Sequence, residues 1–148
     1  IIIGEGVTNI GAGAFAGCGS LTEITIPSSV ISIGIGVFLD CGKINSINVS
    51  GDNTAYTTYD GMLCNKEVTE LIVCPKNKTR VTIPLGVTSI ADRAFSRCND
   101  LETVIIPSSV NNIGSKVFYE CYNFDTIVFL GNMKSLSGVN LIIISLNM

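Results

Sequence analysis

The chain has 148 residues, of which 47% are hydrophobic and 14% charged, a balance that fits one packed domain and excludes intrinsic disorder. A net charge of −3 and a pI near 4.8, with the basic residues scattered rather than clustered, argue against nucleic acid as a partner. The longest apolar runs, Ile1 to Ile3 and Leu141 to Ile144, fall far short of the roughly 20 residues a membrane-spanning helix needs. The chain opens at Ile1 with neither an initiator Met nor a charged leader, so it reads as a fragment or a trimmed chain, and the absence of a signal peptide decides nothing about targeting.

Four aromatic-cysteine pairs punctuate the chain: Phe15/Cys18, Phe38/Cys41, Phe95/Cys98 and Phe118/Cys121. The step from Phe15 to Phe38 equals that from Phe95 to Phe118, so each half repeats with the same period. A fixed period of roughly 20 to 30 residues predicts a solenoid, because one small unit cannot bury its apolar face alone and must stack on copies of itself. The pattern I-P-x-x-V-x-x-I-G-x-x-x-F-x-x-C-x-x-L-x-x-I-x runs most clearly from Ile26, and related turns begin near residues 3, 83 and 106. A longer period is superimposed, which returns Ile3, Val7, Ile10 and Phe15 as Ile83, Val87, Ile90 and Phe95. The long period exceeds three regular steps by about half a step, so every third repeat carries an insertion, placed within about 51–79. Gly131-Asn132 answers Gly51-Asp52, so residues 130–148 are read as a partial repeat or C-terminal cap, and 1–148 as a single domain.

Within each repeat, L-x-x-I-x-I at Leu21, Ile24 and Ile26 has the period of two of a short strand ended by Pro27. Copies over Ile44 to Val49, Lys78 to Ile83, Leu101 to Ile106 and Phe124 to Phe129 predict one continuous parallel ladder. Val30-x-x-Ile33-Gly34 predicts a second extended piece on the opposite wall, with Gly34 and Gly114 meeting a need for positive φ or close backbone approach. The F-x-x-C segment predicts a single helical turn with Phe and Cys on one inward face. In the insertion, Asp60 to Cys64 and Leu71 to Pro75 flank a polar turn, predicting a β-hairpin on the solenoid's side, with Tyr56 and Tyr59 sealing it rather than holding a ligand.

The run from Leu21 to Cys41, its copy at Gly86 to Ile90, and Asp60-Gly61-Met62-Leu63 followed by Cys74-Pro75 together resemble the BspA-type leucine-rich repeat family. The resemblance covers Ile3 to about Gly131. The chain departs from the pattern at Gly4, at Ala91 where Gly is usual, and from Met133 onwards. The resemblance implies a right-handed leucine-rich repeat superhelix. It also implies a surface or secreted protein of bacteria or protozoan parasites, used in adhesion to host cells and extracellular-matrix proteins such as fibronectin.

Six cysteines admit three readings. A metal site is disfavoured, because the chain has no His and no C-x-x-C and one Cys per turn does not converge on a tetrahedral centre. A disulfide framework stays open, with Cys64 and Cys74 across the hairpin as the best-placed pair. The expectation is a column of buried free thiols, each donating weakly to a carbonyl of the next turn.

Catalysis finds little support, since the usual general base is missing. Asp92, Asp100 and Glu102 sit at turn positions where carboxylates cap or solvate loops. Gly11 and Gly13 form a G-x-G that no G-x-x-G completes into a phosphate loop, so no cofactor is expected. Asn48-Val49-Ser50 and Asn77-Lys78-Thr79 are sequons that matter only in a secreting eukaryote.

Alternation along the ladder leaves Glu23, Thr25, Ser46, Asn48, Arg80, Thr82, Thr103, Ile105, Thr126 and Val128 facing outwards. This mixed, flat surface suits a protein partner, although Thr, Ile and Val also serve cross-strand pairing. The expectation is a non-enzymatic protein-binding module. Its alternative is an architectural stalk, whose open ends would continue the stack or self-associate.

Overall fold

The structure, a computed structural model, describes residues 1–131. It contains twelve short strands and, among the described residues, no helix. They are β1 (Asn9–Ile10), β2 (Glu23–Ile26), β3 (Ser32–Ile33), β4 (Ser46–Val49), β5 (Tyr56–Tyr59) and β6 (Met62–Asn65), then β7 (Glu70–Val73), β8 (Arg80–Thr82), β9 (Ser89–Ile90), β10 (Thr103–Pro107), β11 (Asn112–Ile113) and β12 (Thr126–Leu130). The expected cap from Met133 lies outside the described residues.

Each turn of the solenoid contributes one ladder strand, β2, β4, β8, β10 or β12. Alternation works as the sequence predicts: in β2, Ile24 and Ile26 are buried while Glu23 and Thr25 are exposed, because successive side chains of a strand point to opposite faces. The expected second wall is also present, as β1, β3, β9 and β11, paired in parallel at Asn9↔Ser32, Ile10↔Ile33, Ser89↔Asn112 and Ile90↔Ile113.

The F-x-x-C segment differs from the expected helical turn. Backbone N–H groups of Gly13, Phe15 and Gly17 donate sideways to the carbonyls of Ile35, Val37 and Leu39, at 3.1, 3.0 and 2.8 Å. Arg93, Phe95 and Arg97 do the same to Ser115, Val117 and Tyr119, at 3.0, 3.0 and 2.8 Å. A helix would turn these donors back along its own axis. Here the residues two before and two after each Phe have positive φ: Gly13 and Gly17, Gly36 and Asp40, Arg93 and Arg97, Lys116 and Glu120. That alternation aims every second N–H at the neighbouring turn and makes a third ladder. Phe still points inward as expected, with Phe38 and Phe95 buried and rings stacked between turns, Phe15 on Phe38 at 5.7 Å and Phe95 on Phe118 at 5.3 Å.

Gly34 and Gly114 are required for close approach rather than for positive φ. A Cβ at Gly34 would collide with the backbone of Ala12, and one at Gly114 with Asp92.

The ladder is not continuous. β2 pairs with β4, and β10 with β8 on one side and β12 on the other, in two separate parallel sheets. The insertion lies between them in sequence and contains three strands rather than two: β5, β6 and β7 run antiparallel, and β7 then pairs in parallel with β9 through Glu70↔Ser89 and Leu71↔Ile90. Nor is the hairpin a side attachment. Met62, Leu63 and Cys64 are all fully buried, with Met62 and Cys64 in the core that includes Phe95 and Leu63 in the core that includes Phe38. β6 is thus a wedge with one hydrophobic core on each face.

Two polar residues anchor the wedge. Asn53 stands one regular repeat step after Val30, in a slot where other turns carry valine. It is 1% exposed. Its Nδ2 donates to the carbonyls of Pro27 and Val30, at 2.8 and 2.9 Å, and its Oδ1 accepts from the N–H groups of Ala55 and Tyr56, at 2.9 and 2.7 Å. Tyr56, one step after Ile33, accepts the Ile33 N–H on its hydroxyl at 2.8 Å. Tyr56 therefore seals the insertion as expected, whereas Tyr59 is exposed and does not.

Candidate functional site

The outward residues of the ladder fall into two strips that follow the two sheets. On the first, Glu23 lies in register with Ser46 and Thr25 with Asn48. The Asn48 amide donates to Glu23 Oε1 at 2.8 Å and to Ser46 Oγ at 3.3 Å, so three of the four side chains of this strip are tied to one another. On the second, Arg80, Thr103 and Thr126 form one row, and Thr82, Ile105 and Val128 the next. Arg80, Thr82 and Val128 are exposed, while Thr103, Ile105 and Thr126 are half-buried between their neighbours. Arg80 forms no ion pair among the described residues. The second strip therefore presents one unpaired guanidinium, a line of threonines and an apolar row on a three-stranded sheet, whose backbone is fixed by ladder bonds.

The thiols are all free. In the regular repeats the carbonyl sought belongs to the preceding turn rather than the next, Cys41 donating to Phe15 O and Cys121 to Phe95 O, each at 2.9 Å, whereas Cys64 and Cys74 turn to the nearby carbonyls of Met62 and Pro75. Burial pushes Cys64 up to about 11 and Cys121 up to about 12, from an ordinary value of 9.0. A thiol whose folded value is raised adds stability that is complete below its unfolded value and is lost as pH climbs through the folded one. The urea midpoint is therefore expected to hold between pH 7 and 9 and to fall between about 9 and 12, less steeply in Cys121→Ala. An unchanged pH profile in the variant would refute this assignment.

Sequence reasoning missed Lys76, which is buried. Its ammonium donates to the Ser96 carbonyl and lies 3.8 Å from Cys98 Sγ. A hydrogen bond from Cys74 holds the Cys98 thiol below its ordinary value, with Lys76 acting in the same direction, while burial pushes Cys74 well up. No pattern announces a buried lysine, because its position falls in the inserted segment and has no counterpart in the regular repeats. Asp92 accepts the Ser115 N–H on Oδ1 at 2.7 Å, the loop-capping role expected of it. No cluster of three or more His, Cys, Asp and Glu side chains that could hold a metal occurs among the described residues. No helix among those residues is long and apolar enough to cross a membrane.

The sequence profile of the BspA type leucine rich repeat region matches residues 1–77 and 72–139, in six copies. The chain belongs to the BspA-type leucine-rich repeat family. Its BspA-type solenoid has close counterparts among solved structures. A leucine-rich cell surface protein of Faecalibacterium prausnitzii is 34% identical with a TM-score of 0.75, over 84% of this chain and 33% of that one. A leucine-rich repeat protein of Eubacterium ventriosum is 25% identical with a TM-score of 0.73, over 90% and 42%. The pneumococcal vaccine antigen PcpA, at 23% identity, shares the fold with a TM-score of 0.78, over 85% of this chain and 32% of its own. This BspA-type chain thus spans about a third to two fifths of the length of these proteins. No match was found among curated proteins.

Proposed function

We propose that this BspA-type domain is a non-enzymatic protein-binding module at a cell surface or in secretion, contacting host or extracellular-matrix proteins through its ladder face. The observation that carries the reading is the second strip, where an unpaired Arg80 adjoins in-register threonines and the apolar row of Ile105 and Val128 on a rigid sheet. A flat mixed surface of this kind suits a protein partner, since small molecules are held in concave sites. The description of the F. prausnitzii counterpart as a cell surface protein supports the location.

Binding of the domain to immobilised matrix and cell-surface proteins tests this. The double variant Arg80→Glu/Thr103→Glu reverses the charge of the strip at exposed and half-buried positions, and is expected to weaken saturable binding at least tenfold while leaving the thermal midpoint within a few degrees. Unchanged affinity in the variant would remove the strip from the proposal.

A second reading is an architectural spacer. It is favoured by the parallel pairing of successive turns, through which a solenoid gains length with each repeat. Absence of binding to every panel member would favour it.

A further inference from the structure

The third ladder has a gap. Gly13, Phe15 and Gly17 donate to the next turn, and so do Arg93, Phe95 and Arg97. The equivalent groups of the second turn, the N–H of Gly36, Phe38 and Asp40, have no acceptor among the described residues. The turn that should receive them is the inserted one, which lacks the F-x-x-C segment. On the far side the insertion makes partial repair: Cys74 N–H donates to Ala94 O at 2.8 Å and the Lys76 ammonium takes Ser96 O. The near side stays open.

A cleft fills this gap, with a cavity volume of about 280 Å³ between Gly36, Val37 and Phe38 on one wall and Ile72, Val73 and Arg93 on the other. Ala91 marks the same opening. Its place in the repeat is that of Gly34 and Gly114, whose Cα atoms abut the preceding turn, yet it carries a Cβ, and Ala91 lines the cleft. The ion pair from Arg97 Nη1 to Asp40 Oδ1, at 2.8 Å, joins the second turn to the turn beyond the insertion.

The charges are placed unevenly. Arg93 has no ion pair among the described residues, and its Cδ lies 3.8 Å from where a Gly36 Cβ would be. Asp92 is already engaged by the Ser115 N–H, and Glu70 lines the cleft on β7 beside Asn65 and Tyr56. A ligand that meets this wall needs carbonyl acceptors at every second residue, an apolar side chain towards Phe38, and one carboxylate at the Arg93 end.

We propose that this cleft is a second binding site, which takes an extended peptide segment of another protein bearing a single acidic side chain, and that the peptide backbone completes the third ladder. A volume near the lower end for ligand pockets fits a short segment rather than a large cofactor, and strand addition to open backbone donors is an established mode of peptide capture. The site is on a different wall from the ladder strip and does not depend on it.

The test is amide NMR of the isotope-labelled domain titrated with the capped tripeptide Val-Glu-Val, with Val-Lys-Val and sodium acetate alongside. The acidic tripeptide is expected to shift the Gly36 and Phe38 amides saturably, and Val-Lys-Val to bind at least tenfold more weakly. Ala91→Leu, which fills the cleft, is expected to abolish the shifts, and Arg93→Ala to weaken them about tenfold with the fold retained. Arg80→Glu/Thr103→Glu should leave them unchanged. No saturable shift at those amides, equal shifts with Val-Lys-Val, or equal shifts with acetate would overturn the proposal.

Discussion

Phe95→Ala is expected to lower the free energy of unfolding by about 3 to 5 kcal/mol, the cost of removing a fully buried aromatic and leaving a cavity that only partly collapses. Phe95 has no exposed surface. Its ring stacks on Phe118 at 5.3 Å, and Phe118 in turn stacks on Phe124 at 4.4 Å. The damage therefore passes along a chain of three rings, and in a solenoid neighbouring turns share it. Phe15→Ala should cost less, because Phe15 is only half-buried and stacks on one ring. Urea unfolding of both variants measures the difference. A loss below about 1 kcal/mol for Phe95, or an equal loss at the two sites, would contradict this account of the core.

Asn53→Val is expected to destabilise by about 3 kcal/mol, although it restores the residue that the repeat pattern favours. Val30 and Val87 fill the same slot in regular turns and are fully buried. At Asn53 the slot faces four main-chain groups, those of Pro27, Val30, Ala55 and Tyr56, each satisfied by the amide. Valine would leave buried donors and acceptors unpaired at roughly 1 to 3 kcal/mol each, offset in part by its own apolar burial. The Tyr56 hydroxyl would lose its fixed approach to Ile33, loosening the wedge where it meets the second turn. A Tm equal to or above that of the wild type would show that the slot tolerates the consensus residue and that the hydrogen bonds are dispensable.

The regular turns were legible because each level of their sequence agrees. Ile24 and Ile26 alternate with Glu23 and Thr25, Pro27 closes the strand, and Phe38 and Cys41 return at a constant step. The insertion was less so. β6 is buried on both faces, so Met62, Leu63 and Cys64 give a continuous apolar run without the alternation that assigns a face. β5 reads Tyr-Thr-Thr-Tyr, whose amphipathic side chains mark no inward side. The third ladder was hidden for another reason. Its positive φ values fall on Arg93, Arg97, Lys116 and Glu120, residues that carry no signal of left-handed backbone, whereas Gly13, Gly17 and Gly36 do. Asn53 and Tyr56 were within reach, because each stands one repeat step after its partner, Val30 or Ile33. On the candidate site, alternation placed Arg80 and Thr82 outside correctly. It could not show that the strips lie on two sheets, since the break in pairing depends on how the insertion packs.

That break gives the molecule an uneven compliance. Within β2 and β4, or within β8, β10 and β12, load along the axis is borne by rows of parallel main-chain bonds, which yield together. Between these blocks it passes through the insertion, which is laddered to β9 on one side but held to the second turn by β6 side-chain packing, the isolated bonds of Asn53, Tyr56 and the Lys76 N–H, and the Arg97–Asp40 ion pair. Stretched from its ends, the domain behaves as two stiff segments joined by a softer joint, so tension is absorbed at the wedge before any ladder begins to part.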